Sequence, residues 1–437
     1  MKSLLHAFSI VALLGQVGCA DQPQTNASTA NAPKAESPRT GDAKADAAFW
    51  PQFHGPKGDN ISTDKGLLKK WPEAGPSLVW TAKELGGGWS SVSIAAGRIF
   101  TAGDVDEKTF VFALSADDGK LLWKKEIGPA WADTGKWPGA HGTPTVDGDR
   151  LYFESATGDV ACLNVADGAI VWTKNILKDF DAPNIIWAIA ESVVIDGDRL
   201  ICCPGGPKAS VVALDKKTGS QVWAAKSTGD KAGYATPAIA ECRGLKMILT
   251  MNAKALIGVA ADDGELLFRH EHQTRFDVNA TTPALIGDQI FITSGYGAGS
   301  EMLKLTVEGR KASVERVWEN KKLDNHHGGV LVLDGHIYSA AAGGSWMCLE
   351  WATGKQTYSD RGVGKGSLTY ADGMLYILSE NGGKVGLVEA TPAGHKIASQ
   401  FKIPEGGNGP SWAHPVVAGG RLYIRHGAFL YAYDVRQ

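Results

Sequence analysis

The sequence predicts an all-β fold, an eight-bladed β-propeller of four-stranded antiparallel blades, on three observations. A short phrase recurs in which a Gly precedes an aromatic residue by four positions, at Gly119/Trp123, Gly168/Trp172, Gly219/Trp223, Gly264/Phe268 and Gly354/Tyr358. Ahead of each copy comes an apolar run, a turn and a β-rich run, often split by Asp-Gly or Gly-Gly, which marks a β-hairpin. The 437 residues include 54 Gly and 14 Trp but only 21% charged residues, so turns are many and charged helical faces few. Four short strands per unit, repeated every 38 to 52 residues, form the pattern of a propeller.

Taken in order, the chain opens with Lys2, an apolar run over Leu4–Leu14, and small residues up to Cys19. This reads as a signal peptide over residues 1–18. Gly18-Cys19 resembles a bacterial lipobox, whose Cys carries the lipid, although Gln16 stands where that pattern prefers Leu. Residues 19–48 are rich in small and polar types and predict a flexible tether, since they offer little to bury. Residues 49–77 are expected to pack as an N-terminal extension on the propeller of residues 78–437. No other run approaches the ~18 apolar residues a membrane span needs, so membrane contact is expected through the N-terminal lipid alone.

Aligned on their first hairpins, the units start at Val92, Pro144, Val193, Pro237, Pro283, Val330, Leu368 and Pro415. The last unit lacks its fourth strand, and Leu78–Ala82 resembles the missing one, so the N-terminal strand is expected to close the ring. Closure removes the edges that otherwise invite aggregation. Beyond Cys19 there are five cysteines, an odd number that predicts buried thiols rather than a disulfide framework.

The phrase A-x-D-x-x-T-G-x-x-x-W, fullest at Val212–Trp223, resembles the tryptophan-docking repeat of pyrroloquinoline-quinone (PQQ)-type propellers. The resemblance covers nearly all of residues 78–437 and implies that each docking aromatic packs between neighbouring blades. Trp50–Pro56 and Trp71–Trp80 look like the opening of exported, polyvinyl-alcohol dehydrogenase-like propellers. The architecture is also similar to the propeller lipoprotein of the outer-membrane β-barrel assembly machinery, a family without enzyme activity.

First strands of a propeller line its axis, so the alignment predicts two rings. One position before each start come Ser91, Thr143, Ser192, Thr236, Thr282, Gly329, Ser367 and His414. Three positions before come Trp89, His141, Ala190, Tyr234, Ala280, His327, Lys365 and Trp412, with Glu191 between the rings. As a ligand site, this mouth offers Trp89, Tyr234 and Trp412 for stacking on a planar or sugar-like group, and Lys365 for a carboxylate. His141, His326 and His327 can bind a metal or move protons. Alternatively, these side chains fill and hydrate the channel, as every propeller axis must be filled.

The PQQ resemblance makes sharper demands: Ca²⁺ held by Glu, Asn and Asp oxygens, an Asp base, and often a vicinal disulfide. Glu191 and Asn279 are candidate oxygen ligands. Cys202-Cys203, however, falls on a second strand, away from the axis, and no Asp precedes any start within three positions. His326-His327 lacks a metal-binding spacing, so no metal is assigned. Gly343-Gly344 and Gly382-Gly383 read as hairpin turns, since no helix follows to make a phosphate loop. The net charge of −3 excludes a broad basic field for nucleic acid. The expected function is binding or scaffolding in the cell envelope, with an envelope protein or small ligand as partner. A quinoprotein alcohol or sugar dehydrogenase, using PQQ and Ca²⁺, is the alternative.

Overall fold

The computed structural model describes residues 48–131 and 137–437. The signal peptide, Cys19 and nearly all of the tether lie outside the described residues. Among the described residues no helix is long and apolar enough to cross a membrane.

The chain forms eight sheets in the expected order, seven built on four consecutive antiparallel strands and the eighth on three C-terminal strands and one N-terminal strand. Blade 1 spans Ser93–Pro129 and blade 2 spans Thr145–Asn175. Blades 3 to 6 follow over Val194–Ala224, Ala238–Glu271, Ala284–Asn320 and Leu331–Asp360. Blade 7 spans Gly366–Lys402, and blade 8 begins at Val416. First strands begin one residue after the aligned start in seven blades; blade 7 begins at Gly366, two residues earlier than Leu368. Blade 8 runs to Asp434 and is completed by Ser77–Ala82, which pairs antiparallel with Leu430–Asp434. The ring is therefore closed by the N-terminal strand.

The repeated phrase is the lock between blades. The Trp80 indole N–H donates to Ala116 O of blade 1 at 3.3 Å, and Trp123 does the same to Val165 O of blade 2 at 3.1 Å. Trp172, Trp223 and Trp318 repeat the contact with Lys216, Ala261 and Trp351 carbonyls. Each ring lies flat on the repeat Gly of the next blade. A Cβ on Gly264 would sit 2.5 Å from a ring carbon of Trp223, and Gly264 also has φ +78°. The Gly is thus required twice, for its conformation and for the close approach of the ring. Phe401 of blade 7 meets Gly75, just ahead of the closing strand, so the N-terminal segment supplies the repeat turn that blade 8 lacks.

The segment before the closing strand holds several blades. Trp50 forms a bridge with Ile94 of blade 1, and Pro51 O accepts from Val146 N of blade 2. Ile61–Ser62 adds a parallel strand to Tyr370–Ala371 of blade 7, and Trp71 packs on Tyr376 and Phe401. Between these contacts Phe53 and His54 reach His414 near the axis, with ring centroids 5.0 and 4.9 Å away.

Candidate functional site

The inner ring of small hydroxyls knits the blades. Ser91 N donates to Thr143 Oγ1 at 3.1 Å, Thr143 N to Ser192 Oγ at 2.9 Å, and Ser192 N to Thr236 Oγ1 at 2.9 Å. Ser91 Oγ closes the seam to blade 8 by donating to His414 O at 2.7 Å. A hydroxyl at this position accepts from one blade while its own backbone donates to the next, which is why Ser and Thr fill the column.

Above this ring opens a cavity of about 460 Å³. Seven of the eight outer-ring residues line it, all but Lys365. One wall is Trp89, Trp137, Trp412 and His141: Trp412 lies 4.9 Å from both Trp89 and Trp137, and His141 stacks on Trp89 at 5.2 Å. The second aromatic cluster comes from blades 3 to 5. Trp187 lies 6.2 Å from Tyr234, with Phe276 and Tyr296 continuing the row. Phe53 also lines the cavity, and His414 beside it is held by His327 O at 3.0 Å and by His54 at 3.2 Å.

The polar groups gather on the blade 6–7 side. Lys365 Nζ contacts both Glu380 oxygens, at 3.0 and 3.1 Å, and donates to His326 Nδ1 at 3.0 Å. Trp412 Nε1 donates to Glu380 Oε1 at 2.7 Å. Since His326 Nδ1 accepts from Lys365, the network assigns the proton to His326 Nε2, which faces Tyr296 Oη at 3.1 Å. His327 Nδ1, 3.3 Å from His326 Nδ1, is then the donor, and His327 Nε2 keeps a buried lone pair with no partner. Burial holds the histidines neutral. It lowers His141 and His414 to about 4, and burial together with the Lys365 charge does the same to His326. Burial and neighbouring charges push His54 and His327 well below their usual value.

Besides Lys365, two expected site residues do not reach the cavity. Glu191 turns away from the axis: its Oε1 accepts from Cys203 N at 2.6 Å, and its carboxyl neighbours the buried Glu154. Burial lifts Glu191 to about 7, and burial plus Glu191's charge lifts Glu154 well above its usual value. Neighbours in an extended strand point to opposite sides, so a residue between two ring positions faces the blade interior. Asn279 is wholly buried, donating to the carbonyls of Asn252, Ala253 and His272 and accepting from Ser294 Oγ. Cys202 and Cys203 are buried free thiols in blade 3, like the other described cysteines. The alignment missed Trp137, Trp187, Tyr296 and Glu380, which come from loops outside the first-strand columns, and Phe53 from the N-terminal segment.

Eight blades locked by docking tryptophans and closed by an N-terminal strand define a PQQ-type repeat propeller with an aromatic channel mouth. A family model described as outer membrane protein assembly factor BamB matches residues 107–357, more than half of the chain, and the chain belongs to that family. No curated protein matches the sequence significantly. Among solved structures, BamB from Moraxella catarrhalis is similar at 12% identity and a TM-score of 0.56, over 82% of this chain and 97% of that one. Quinohemoprotein alcohol dehydrogenase from Comamonas testosteroni is similar at 10% identity and a TM-score of 0.61, over 89% of this chain and 80% of that one. The enzyme ADHIIG from Pseudomonas putida HK5, at 12% identity, covers the same shares with a TM-score of 0.57. At these identities the likeness shows the fold.

Proposed function

We propose that this chain is an exported, lipid-anchored binding protein of the cell envelope whose channel mouth receives an uncharged ring. The ring belongs to a small ligand or to a side chain of an envelope partner. The carrying observation is the cavity itself, with aromatic clusters from blades 1 and 8 and from blades 3 to 5, lined by neutral imidazoles. Aromatic faces give a flat uncharged group contact area at low entropic cost. Membership of an outer membrane assembly factor family supports the binding role, and the sequence before residue 48 supports export and anchoring.

The residues present do not fit a quinone dehydrogenase site. Glu191 and Asn279 are committed elsewhere, and the Cys pair lies within blade 3. The cation beside the cavity, Lys365, is already paired with Glu380, so an incoming polycarboxylate would find no free counter-charge among the described lining residues.

The test compares the full chain with a Trp89→Leu/Trp412→Leu variant, used as baits in detergent-solubilised envelope and analysed for bound proteins and small molecules. Wild type should retain a species that the variant loses. Equal retention by both, or none by either, would contradict the proposal.

A further inference from the structure

The Lys365 cluster has the composition and the supporting contacts of a transition-metal site. One ligand atom each from His326, His327 and Glu380 lie within 4.8 Å of one another. His326 Nδ1 and His327 Nδ1 are 3.3 Å apart. Metal–nitrogen bonds of ~2.0–2.1 Å place two nitrogens of a tetrahedron about 3.3 Å apart, so this pair spans one edge once His327 shifts its proton from Nδ1 to the partnerless Nε2. A cation also occupies the donor set: the Lys365 ammonium sits about 3 Å from His326 Nδ1 and from both Glu380 oxygens.

Two contacts outside the donor set hold these groups in place. Trp412 Nε1 fixes the Glu380 carboxylate at 2.7 Å, and Tyr296 Oη engages the far nitrogen of His326 at 3.1 Å. Hydrogen bonds of this kind orient ligands at metal centres. His326, His327 and Glu380 all line the cavity, so a bound ion would keep an open coordination position toward it.

We infer that His326, His327 and Glu380 form a binding site for a late first-row divalent ion of the zinc type, gated by Lys365. Two imidazoles and one carboxylate suit Zn²⁺, Cu²⁺ or Ni²⁺ rather than Ca²⁺ or Mg²⁺. Lys365 competes for the same place. Its side chain is 19% exposed and ends a flexible four-carbon stem, so an arriving ion displaces it into the cavity rather than into the core. Only the two histidines are neighbours in sequence; adjacency of blades brings Glu380 of blade 7 against this pair ahead of blade 6.

The experiment uses the untagged full chain, stripped with chelator, and the metals alone as probes: Co²⁺ by visible absorption and Zn²⁺ by calorimetry. Every variant shares the same N-terminus, so differences report this cluster. Wild type should bind one ion with the spectrum of four-coordinate Co²⁺. His327→Ala or Glu380→Gln should weaken binding at least tenfold, and Tyr296→Phe, which keeps all three ligands, should weaken it about tenfold. Lys365→Met should tighten it about tenfold by removing a like charge from the site. Melting by circular dichroism checks that each variant is folded, and the conservative Tyr296 and Lys365 variants carry the test if His327→Ala is not. Absence of binding, unchanged affinity in folded His327→Ala and Tyr296→Phe, or weaker binding in Lys365→Met would overturn the inference. No organic ligand enters the experiment, so its failure is distinguishable from failure of the binding role proposed above.

Discussion

Replacing Gly264 by Ala tests the inter-blade lock. Gly264 has φ +78°, and its Cα faces the Trp223 ring so closely that a Cβ would sit 2.5 Å from a ring carbon. The left-handed conformation costs an L-residue roughly 1–2 kcal/mol. Overpacking adds ~1–3 kcal/mol, because Trp223 is only 7% exposed and its N–H is tied to Ala261 O at 3.2 Å. Gly287 provides the control: its φ is +62°, but nothing lies within 4 Å of its would-be Cβ. Gly287→Ala should therefore carry the conformational cost alone. Urea unfolding of the two variants should separate them by about 1–3 kcal/mol, Gly264→Ala being the weaker. Adding Gly264→Ala to a Trp223→Leu background should cost less than adding it to wild type, since the clashing ring is gone. Equal destabilisation by the two Gly variants, or full additivity with Trp223→Leu, would refute the tight Gly–Trp stack as the unit of blade docking.

Trp80→Ala removes the indole that ties the closing strand of blade 8 to Ala116 of blade 1. It should destabilise the protein by ~3–5 kcal/mol and raise proteolysis first at the seam, as mapped by limited digestion. Asn279→Ala leaves three buried carbonyls without their donor; it should lower the melting temperature while leaving ligand capture unchanged in the folded protein, which separates a structural Asn from a site residue. Glu154 and Glu191 are both held above the ordinary value of 4.5, so the folded state binds more protons than the unfolded one. The pair's own contribution to stability is then fully present at low pH and is lost as pH rises from about 4.5. Glu154→Gln, whose amide can donate to Glu191, should remove much of that slope. It should match wild type near pH 4 and exceed it at pH 8 by on the order of 2 kcal/mol, read by denaturant titration at each pH.

The ring was legible because its requirements repeat in register. A Gly under an indole and a small hydroxyl at a crowded axis recur at fixed offsets, so seven first strands begin one residue after the aligned start. Leu78–Ala82 was legible as the closing strand because it carries the docking Trp80 in the same phrase. The mouth was legible only where it is built from those columns, as at Trp89, His141 and Trp412. Trp187, Tyr296 and Glu380 stand on connections that obey no period, and Phe53 arrives from a segment before the first blade. Glu191 shows the limit in the other direction: its column was right, but strand alternation turns its carboxyl to Glu154 rather than to the channel. The approach of Glu380 to His326 and His327 leaves no trace in spacing, since the residues belong to successive blades.

The claim that the mouth receives an uncharged ring is tested most directly by tryptophan fluorescence. The full chain is titrated with 4-nitrophenyl glucoside and indole, and separately with PQQ plus Ca²⁺ while dye reduction is followed. The geometry predicts saturable quenching by at least one uncharged ring, lost in Trp89→Leu/Trp412→Leu, with neither stoichiometric quinone binding nor turnover. Tight quinone binding with dye reduction, or quenching that survives in the folded variant, would contradict it.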